Sequence, residues 1–392
     1  MMFGRRGKSD YVAVDIGVES VKIAVIRSDG HGPVLTTAAI APLPEGAVQD
    51  GAVTDQFEVA AVIRDLLLAQ GVSTKSCISA VGGPRVVVRP ARFPAMAPSR
   101  MKRFVQYEAQ RYIPFPSEDS VIECQTLRTV AGEEGEAEVV LVAAHREVVD
   151  SHIATLEMAN LEPLIIDAEP FAVMRAVVYG NRAPSIGDKN LIIVRIGGSF
   201  TEMILVRRGD FVLSRTISLG GRDFTRAVAK ALNVPETEAN QLKEERGCAV
   251  SRAQAEKLTE QERRIAEALF PALDELSKEA RRSINYFVTQ FSTETATAQV
   301  DQVVLCGGGA RLRELPAHLS EQLACPVDLF DPLTYLPLDA SRFDPEYLTV
   351  NGPALAAVLG LALIPLFQRK AYPFASDPSR FGVVVRVGAD AG

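Results

Sequence analysis

The sequence lacks tryptophan and contains only four histidines and five cysteines among its 392 residues. The histidines lie far apart, so their spacing matches no metal-ligand motif. The cysteines are also scattered and form no C-x-x-C pair; they are Cys77, Cys124, Cys248, Cys306 and Cys325. An odd number without paired spacing predicts neither a disulfide framework nor a zinc site, and it is typical of a reduced cytoplasmic protein.

The sequence also has fewer basic than acidic residues, and its apolar runs are short. Lysine and arginine total 42 against 49 acidic residues, for a net charge of −7, which argues against a nucleic-acid partner. The longest apolar stretch, Gly352–Phe367, is short for a membrane span and contains Pro365, so it predicts a buried core helix. The basic segment Met1–Asp10 resembles the start of a signal peptide, but Asp15 interrupts the apolar run behind it and no small-residue cleavage site follows.

The most informative stretch is Tyr11–Ile26, in which two apolar runs flank a short polar turn. The pattern predicts two strands joined by a hairpin. Such a turn leaves backbone amides that can bind an anion, and Gly17 allows a ligand to come close to the backbone. Asp15 could hold a water of a hydrated cation, and Lys22 could meet a phosphate as a point charge. Taken alone, the same residues also fit an ordinary hairpin.

A second stretch, Leu191–Val206, repeats the first. When Arg195 is placed beneath Asp15, both copies show an apolar run, Ile-Gly, a small polar turn and another apolar run. An internal repeat of this kind predicts two similar domains that face one cleft, each with a phosphate-sized turn.

A third glycine-rich segment follows the predicted strand Gln302–Leu305. It reads Cys306-Gly307-Gly308-Gly309 and leads into a predicted helix. A helix N-terminus supplies positive potential, so this is a further place where the backbone could approach a nucleotide.

The intervening regions predict additional units. Pro84–Leu161 reads as a small inserted α+β unit, in which Ser99 is expected to cap a helix that runs to about Tyr112. Arg182–Lys189 reads as a linker, and Glu260–Phe287 as a long helix that bends near Pro271.

The order of these motifs resembles the actin/Hsp70/sugar-kinase superfamily, whose ATP lies between two similar domains. The resemblance implies an α/β, actin-like (ribonuclease H-like) duplicated two-domain fold with a small inserted SHS2-like α+β subdomain. It also implies ATP and magnesium as cofactors, with Asp15 meeting the metal through water and Glu169, in A-E-P-F-A, positioning the attacking water. The nucleotide-contacting residues that it implies are Asp15, Gly17, Ser20, Lys22, Gly197, Gly198, Ser199, Asn240, Lys243, Gly307, Gly308 and Gly309.

Within the superfamily, the chain resembles the PilM family of type IV pilus assembly. The most specific segment is Tyr107–Pro116, Y-E-A-Q-R-Y-I-P-F-P, and Gly221–Thr225 and Gln241–Gly247 also match. The family implies a cytoplasmic protein recruited to the inner face of the inner membrane by the N-terminal cytoplasmic tail of a PilN-like membrane protein. Other platform proteins and the pilus motor ATPases are further partners that it implies. The inserted unit would form part of the groove for the tail.

Two positions depart from the superfamily pattern. Arg195 stands where nucleotide-hydrolysing relatives have a metal-holding aspartate; it could bind phosphate directly or pair with a carboxylate such as Glu202. Asn240 stands where relatives often have a ribose-contacting glutamate, and an amide can still bond a hydroxyl. Both changes favour nucleotide binding over fast hydrolysis.

The expected domains are a first actin-like domain (10–83, 162–187 and 350–372), the inserted unit (84–161), and a second actin-like domain (188–349) with a helical part at 222–300. Residues 1–9 and 373–392 are expected to be tails. Two alternative functions stay open: a small-molecule phosphotransferase, with Glu169 as its base, and an FtsA-like cell-division protein. The second would require a C-terminal amphipathic helix, which Phe381–Gly392 does not resemble.

Overall fold

A computed structural model describes residues 11–28, 33–129, 135–179, 184–291, 299–330, 339–364 and 384–386. These residues divide into two compact units. The first unit takes its described residues from Met1–Gly180, Tyr335–Pro345 and Ala357–Gly392, and the second from Asn181–Thr334 and Glu346–Ala356. The two discontinuous segments show that the chain returns to each unit near its end.

Runs of strands and runs of helices follow one another along the described chain. The strands are β1 Val12–Ile16, β2 Ser20–Ser28, β3 Pro33–Pro42, β4 Val48–Gln49, β5 Ala52–Val53, β6 Ser76–Val81, β7 Val86–Pro94, β8 Ser120–Thr129, β9 Glu136–His145, β10 Glu162–Ala168, β11 Asn190–Ile196, β12 Thr201–Arg207, β13 Asp210–Ile217, β14 Gln302–Cys306, β15 Val327–Leu329 and β16 Val384–Arg386. The helices are α1 Gln56–Ala69, α2 Pro98–Glu108, α3 Arg146–Met158, α4 Glu169–Met174, α5 Pro184–Gly187, α6 Gly221–Leu232, α7 Glu236–Arg246, α8 Arg252–Ala255, α9 Glu260–Phe291, α10 Leu315–Leu323, α11 Pro345–Asn351 and α12 Ala356–Ala362.

The first unit is built on a six-stranded mixed sheet in the order β16-β10-β6-β1-β2-β3. Strands β1, β6 and β10 are parallel neighbours, so their carboxyl ends meet at one edge, where ligands bind in open α/β sheets. Asp55 caps the N-terminus of helix α1, because its carboxylate accepts a hydrogen bond from the Glu58 amide over 3.1 Å. The helix buries Val59 and Ile63, as the apolar spacing predicts.

The inserted segment forms a three-stranded antiparallel sheet in the order β7-β9-β8, covered on one face by α2. Met101 and Val105 of α2 pack on Phe93 and Leu141 in its core. Helix α2 begins at Pro98 with Ala97 as its N-cap, so the prediction that Ser99 caps this helix is wrong. A proline fits the first helical turn because its missing N–H would have no partner there.

The second unit is built on a five-stranded sheet in the order β13-β12-β11-β14-β15. Its first three strands repeat the β1–β3 meander of the first unit, as the internal repeat predicts. The inner face packs on the long helix α9 through Leu269, Leu273 and Leu276. Because α9 continues past Pro271, this proline does not end the helix.

Several predicted segments differ in detail. A short helix, α5, lies within the segment expected to be a linker. Strand β16 pairs antiparallel with β10, inside the segment expected to be a tail. The buried segment Gly352–Leu355 is a 3₁₀ turn before α12, so the predicted core helix begins later than expected. Most of the predicted polar turn at 132–135 lies outside the described residues.

Candidate functional site

The first glycine turn joins β1 to β2 above a buried ion pair. The Gly17 amide closes the turn by donating to the Ser20 carbonyl over 3.0 Å. Asp15 and Lys22 face each other across the strands, with Lys22 Nζ 3.1 Å from Asp15 Oδ2, and they are only 4% and 7% exposed. A Cβ at Gly17 would lie 3.2 Å from Lys22 Nζ. The ammonium therefore stands directly against the glycine of the turn.

Glu169 lies at the same edge of the first sheet, at the start of α4. The preceding residue, Ala168, pairs with Val81 of the parallel strand β6. The Glu169 side chain is buried and packs on the backbone of Gly82, where a Cβ would lie 2.9 Å from the Glu169 Cβ and would overlap the carboxylate. The parallel strands thus bring Glu169 to the edge from which the Asp15 turn emerges.

A buried ion pair behind Glu169 was not found by the sequence reasoning. Arg175 donates to Asp167 Oδ2 and to the Gly360 carbonyl, both over 3.0 Å, and the Ala168 amide donates to Asp167 Oδ1 over 2.8 Å. A Cβ at Gly360 would lie 2.6 Å from the carbonyl carbon of Ala172. The pair thus fixes α4 against α12 at close approach. The available signal was a lone arginine in an otherwise apolar helical run.

Histidine 152 on α3 contacts the same edge of the first unit. Its Nε2 lies 2.9 Å from the Gly51 carbonyl, and a Cβ at Gly51 would overlap the Gly82 carbonyl. Burial lowers the pKa of His152, against smaller opposing effects of the Gly51 bond and the Asp15 charge. The neutral imidazole is therefore part of the packing beneath the Gly82 segment.

The second glycine turn has the same geometry as the first. The Gly197 amide donates to the Phe200 carbonyl over 2.9 Å, and Arg195 faces Glu202 across β11 and β12. Arg195 and Glu202 are 7% and 3% exposed, and the guanidinium carbon lies 5.9 Å from the centroid of the Phe200 ring. A Cβ at Gly197 would lie 3.3 Å from Arg195 Nη1. The two turns are structural repeats, as predicted.

The first turn of α6 holds the second glycine turn in place. The Gly221 and Arg222 amides donate to the Gly197 and Gly198 carbonyls, each over 2.8 Å. Asp223 caps the helix by accepting the Gly220 amide over 2.8 Å. The segment Gly221–Thr225 that resembles the pilus family is therefore the anchor of this turn, and Ser199 lies at the tip that it supports.

The Gly307–Gly309 segment packs against the end of β11 in the second unit. Gly307 has a φ of +88°, and a Cβ there would lie 2.8 Å from the carbonyl carbon of Ile196. A Cβ at Gly309 would lie 3.1 Å from the Ile196 Cβ, whereas Gly308 has no heavy atom within 4 Å of its Cβ position. Only a 3₁₀ turn, Gly308–Arg311, follows at once. The predicted helix N-terminus is therefore wrong, although the close backbone approach is present.

Asn240 and Lys243 complete the predicted set in the second unit. Lys243 Nζ donates to Asn240 Oδ1 over 2.7 Å, to Thr225 Oγ1 over 2.8 Å and to the Gly221 carbonyl over 3.5 Å. Asn240 also donates to Glu244 over 3.2 Å. These bonds bring both residues to the first turn of α6, beside the second glycine turn.

The donor set does not fit a protein-held magnesium ion. Among the described residues, no group of three or more His, Cys, Asp or Glu side chains could hold a metal. Asp15, the residue predicted to meet the ion through water, is in contact with the Lys22 ammonium, and its counterpart Arg195 is a cation. Magnesium prefers carboxylate and water oxygens; the carboxylate of the first turn is already paired with Lys22, and the second turn has a cation at the equivalent position.

The Tyr107–Pro116 segment is largely explained by packing. Tyr112 meets the ring of Phe93 edge-on at 5.3 Å between centroids, Ile113 is buried, and Phe115 meets His145 at 6.1 Å. Tyr107 is the exception, because it is 84% exposed. It is thus an exposed aromatic residue on a helix whose neighbours have structural roles.

All five cysteines are unpaired. Burial raises the pKa of the Cys77 thiol to about 12 and that of Cys124 to about 11, so neither is a reactive thiolate at neutral pH. Among the residues that the structure describes, no helix is both long and apolar enough to cross a bilayer.

Comparisons with solved structures establish the fold as actin-like. MreB5 of Spiroplasma citri bound to AMPPNP matches with a TM-score of 0.50 at 14% identity, covering 93% of this chain and 98% of that one. The ethanolamine utilization protein EutJ from Carboxydothermus hydrogenoformans matches with a TM-score of 0.51 at 17% identity, covering 92% and 91%. The PilM-PilN type IV pilus biogenesis complex matches with a TM-score of 0.78 at 29% identity, covering 90% and 98%.

Sequence comparisons give the family. The cell division protein FtsA of Bacillus subtilis is 22% identical over 263 residues, which span 60% of this chain and only 58% of the length of FtsA. The family model described as type IV pilus assembly protein PilM matches residues 13–365. The chain therefore belongs to the PilM family of type IV pilus assembly proteins.

Proposed function

We propose that the chain is an ATP-binding, actin-like scaffold of the type IV pilus assembly platform, and that it binds the N-terminal cytoplasmic tail of a PilN-like inner-membrane protein. The observation that carries this proposal is the similarity to a PilM-PilN complex over 98% of that chain at 29% identity. Binding of the tail would recruit the protein to the inner face of the inner membrane. The family match favours this function over the phosphotransferase and the cell-division alternatives.

The proposed partner-binding surface lies on the inserted unit, residues 84–161. This unit has its own sheet and core, so it can present a fixed surface. Tyr107 projects from α2 at 84% exposure, and the neighbouring Arg103 and Arg111 are also exposed. An exposed tyrosine flanked by arginines has the composition that protein interfaces favour.

Capture on an immobilised tail peptide tests the partner. The peptide should have the cytoplasmic N-terminal sequence of a PilN-like protein from the same organism, and a scrambled peptide of the same composition serves as the control. Retention by the native peptide and release from the scrambled one are expected. Equal retention by both would contradict the proposal.

ATP binding is proposed from the two glycine turns and the segments beside them. Each turn places a cationic nitrogen against its glycine, and in the second unit Gly307–Gly309 and Lys243 lie beside the turn. Exposed amides and fixed cations are the groups that bind phosphate. Calorimetric titration with ATP tests this proposal. Saturable binding that weakens in Lys243→Met is expected, and the absence of any binding heat would overturn it.

A further inference from the structure

Each glycine turn has a positively charged side chain against its glycine. That side chain comes from the strand after the turn in one case and from the strand before it in the other. In the first turn the cation is Lys22, which belongs to β2, the strand after the turn. In the second turn it is Arg195, which belongs to β11, the strand before the turn. In both, the nitrogen lies where a Cβ on the glycine would be 3.2 or 3.3 Å away. The position of the cation is thus kept while the order of the charged residues is reversed.

The reversal places a cation where the first turn has a carboxylate. An aspartate at the Arg195 position would repeat Asp15, whose oxygen a hydrated metal ion could reach only in competition with Lys22. The acidic residue of the second pair, Glu202, lies instead on β12, facing Arg195. A guanidinium beside the glycine repels a divalent cation and attracts phosphate oxygens.

We propose that Arg195 is a phosphate-binding residue that supplies the charge a divalent metal would otherwise supply, so that this chain binds nucleoside triphosphate without magnesium. The inference rests on the proposed ATP binding and names the form of the ligand. The guanidinium lies against Gly197 of the turn, and its planar fork can bond two phosphate oxygens at once. Burial of Arg195 strengthens the interaction because water screens it less.

The competing explanation gives Arg195 only a structural role. In that case the arginine would stabilise β11 and β12 through Glu202 and Phe200, and its removal would lower stability without changing how nucleotide affinity depends on the metal. A measurement of affinity with and without magnesium separates the two roles.

The experiment is calorimetric titration of the full chain with ATP, once in magnesium chloride and once in EDTA. The variants are Arg195→Met and the pair exchange Arg195→Asp with Glu202→Lys, which gives the second turn the charge order of the first and keeps the pair. Arg207→Met is the control, because Arg207 lies at the far end of β12 and stacks on Phe291. Thermal melting without ligand checks that each variant is folded.

The wild type and Arg207→Met are expected to bind ATP in EDTA within about threefold of their affinity in magnesium. Arg195→Met should lose about tenfold or more in EDTA, whereas the pair exchange, which keeps a cation against Gly197 as Lys22 does against Gly17, should lose less. Binding by the wild type that disappears in EDTA would overturn the inference and leave the proposed ATP binding intact. An Arg195→Met variant that binds in EDTA like the wild type would also overturn it. Absence of binding in both buffers would overturn the proposed ATP binding itself, and the inference with it.

Discussion

Lys22 Nζ lies 3.1 Å from Asp15 Oδ2 beneath the first glycine turn, and both side chains are more than 90% buried. A buried ion pair costs desolvation free energy, and removing one partner leaves the other charge poorly compensated. The pair therefore links the stability of the first sheet to the turn proposed to bind phosphate.

Lys22→Met is expected to lower the free energy of unfolding by about 3 kcal/mol, because the buried Asp15 carboxylate loses its cation. The double variant Asp15→Asn with Lys22→Met removes both charges and should recover more than half of that loss. Urea unfolding followed by circular dichroism measures both variants. An equal loss in the single and double variants would show that the ion pair is not the cause.

The Gly82 position should tolerate no side chain. Gly82→Ala places a Cβ against the Glu169 side chain, so the free energy of unfolding should fall by about 1–3 kcal/mol through overpacking. Gly187→Ala is the control, since a Cβ there meets no heavy atom within 4 Å, and it should change stability little. Urea unfolding measures both variants. If Gly82→Ala left the free energy of unfolding unchanged, the close packing of Glu169 would be contradicted.

The Asp167–Arg175 pair should matter far more than an exposed pair. Arg175→Met leaves Asp167 buried without its main cation and should cost about 3–5 kcal/mol. Arg252→Met breaks an exposed pair, in which the closest atoms of Arg252 and Asp274 are 3.8 Å apart, and should cost less than about 1 kcal/mol. Differential scanning calorimetry of the two variants compares them directly. Similar losses would contradict the structural role given to Arg175.

Because of His152, the free energy of unfolding should decrease as the pH becomes acidic. Burial holds the folded pKa of His152 below the ordinary value of 6.5, so the unfolded chain takes up the proton first. Its contribution is complete above about pH 6.5 and decreases as the pH falls below that value. His152→Gln keeps a donor for the Gly51 carbonyl but does not titrate, and from pH 7.5 to 5.5 it should lose about 1 kcal/mol less stability than the wild type. Parallel losses in urea unfolding would contradict this role.

Most of the fold could be predicted from the sequence because the repeated motif is formed by residues that are close together in the chain. A hydrophobic strand, a short turn around glycine and a second strand can be recognised at Asp15–Lys22 and again at Arg195–Glu202, and strand pairing then requires each pair to face across its hairpin. The inserted unit is equally recognisable from its hairpin and helix. These features depend on neighbours in the chain.

The parts that sequence reasoning missed depend on contacts between distant segments. Arg175, the residue that follows α4, meets the Gly360 carbonyl only because α4 and α12 approach closely at Ala172 and Gly360. The position of the Arg195 guanidinium against Gly197 depends on a rotamer, which a pattern of residue types does not specify. Pro98 begins α2 where Ser99 looked like the cap, because both residue types favour the first turn of a helix.

The most direct test of the proposed function is calorimetric titration of the purified chain with a synthetic N-terminal tail of a PilN-like protein from the same organism. Saturable binding at one peptide per chain is expected, with a scrambled peptide giving no heat beyond dilution. The absence of binding by the native peptide, from a chain shown by circular dichroism to be folded, would contradict its proposed role as the scaffold that binds PilN.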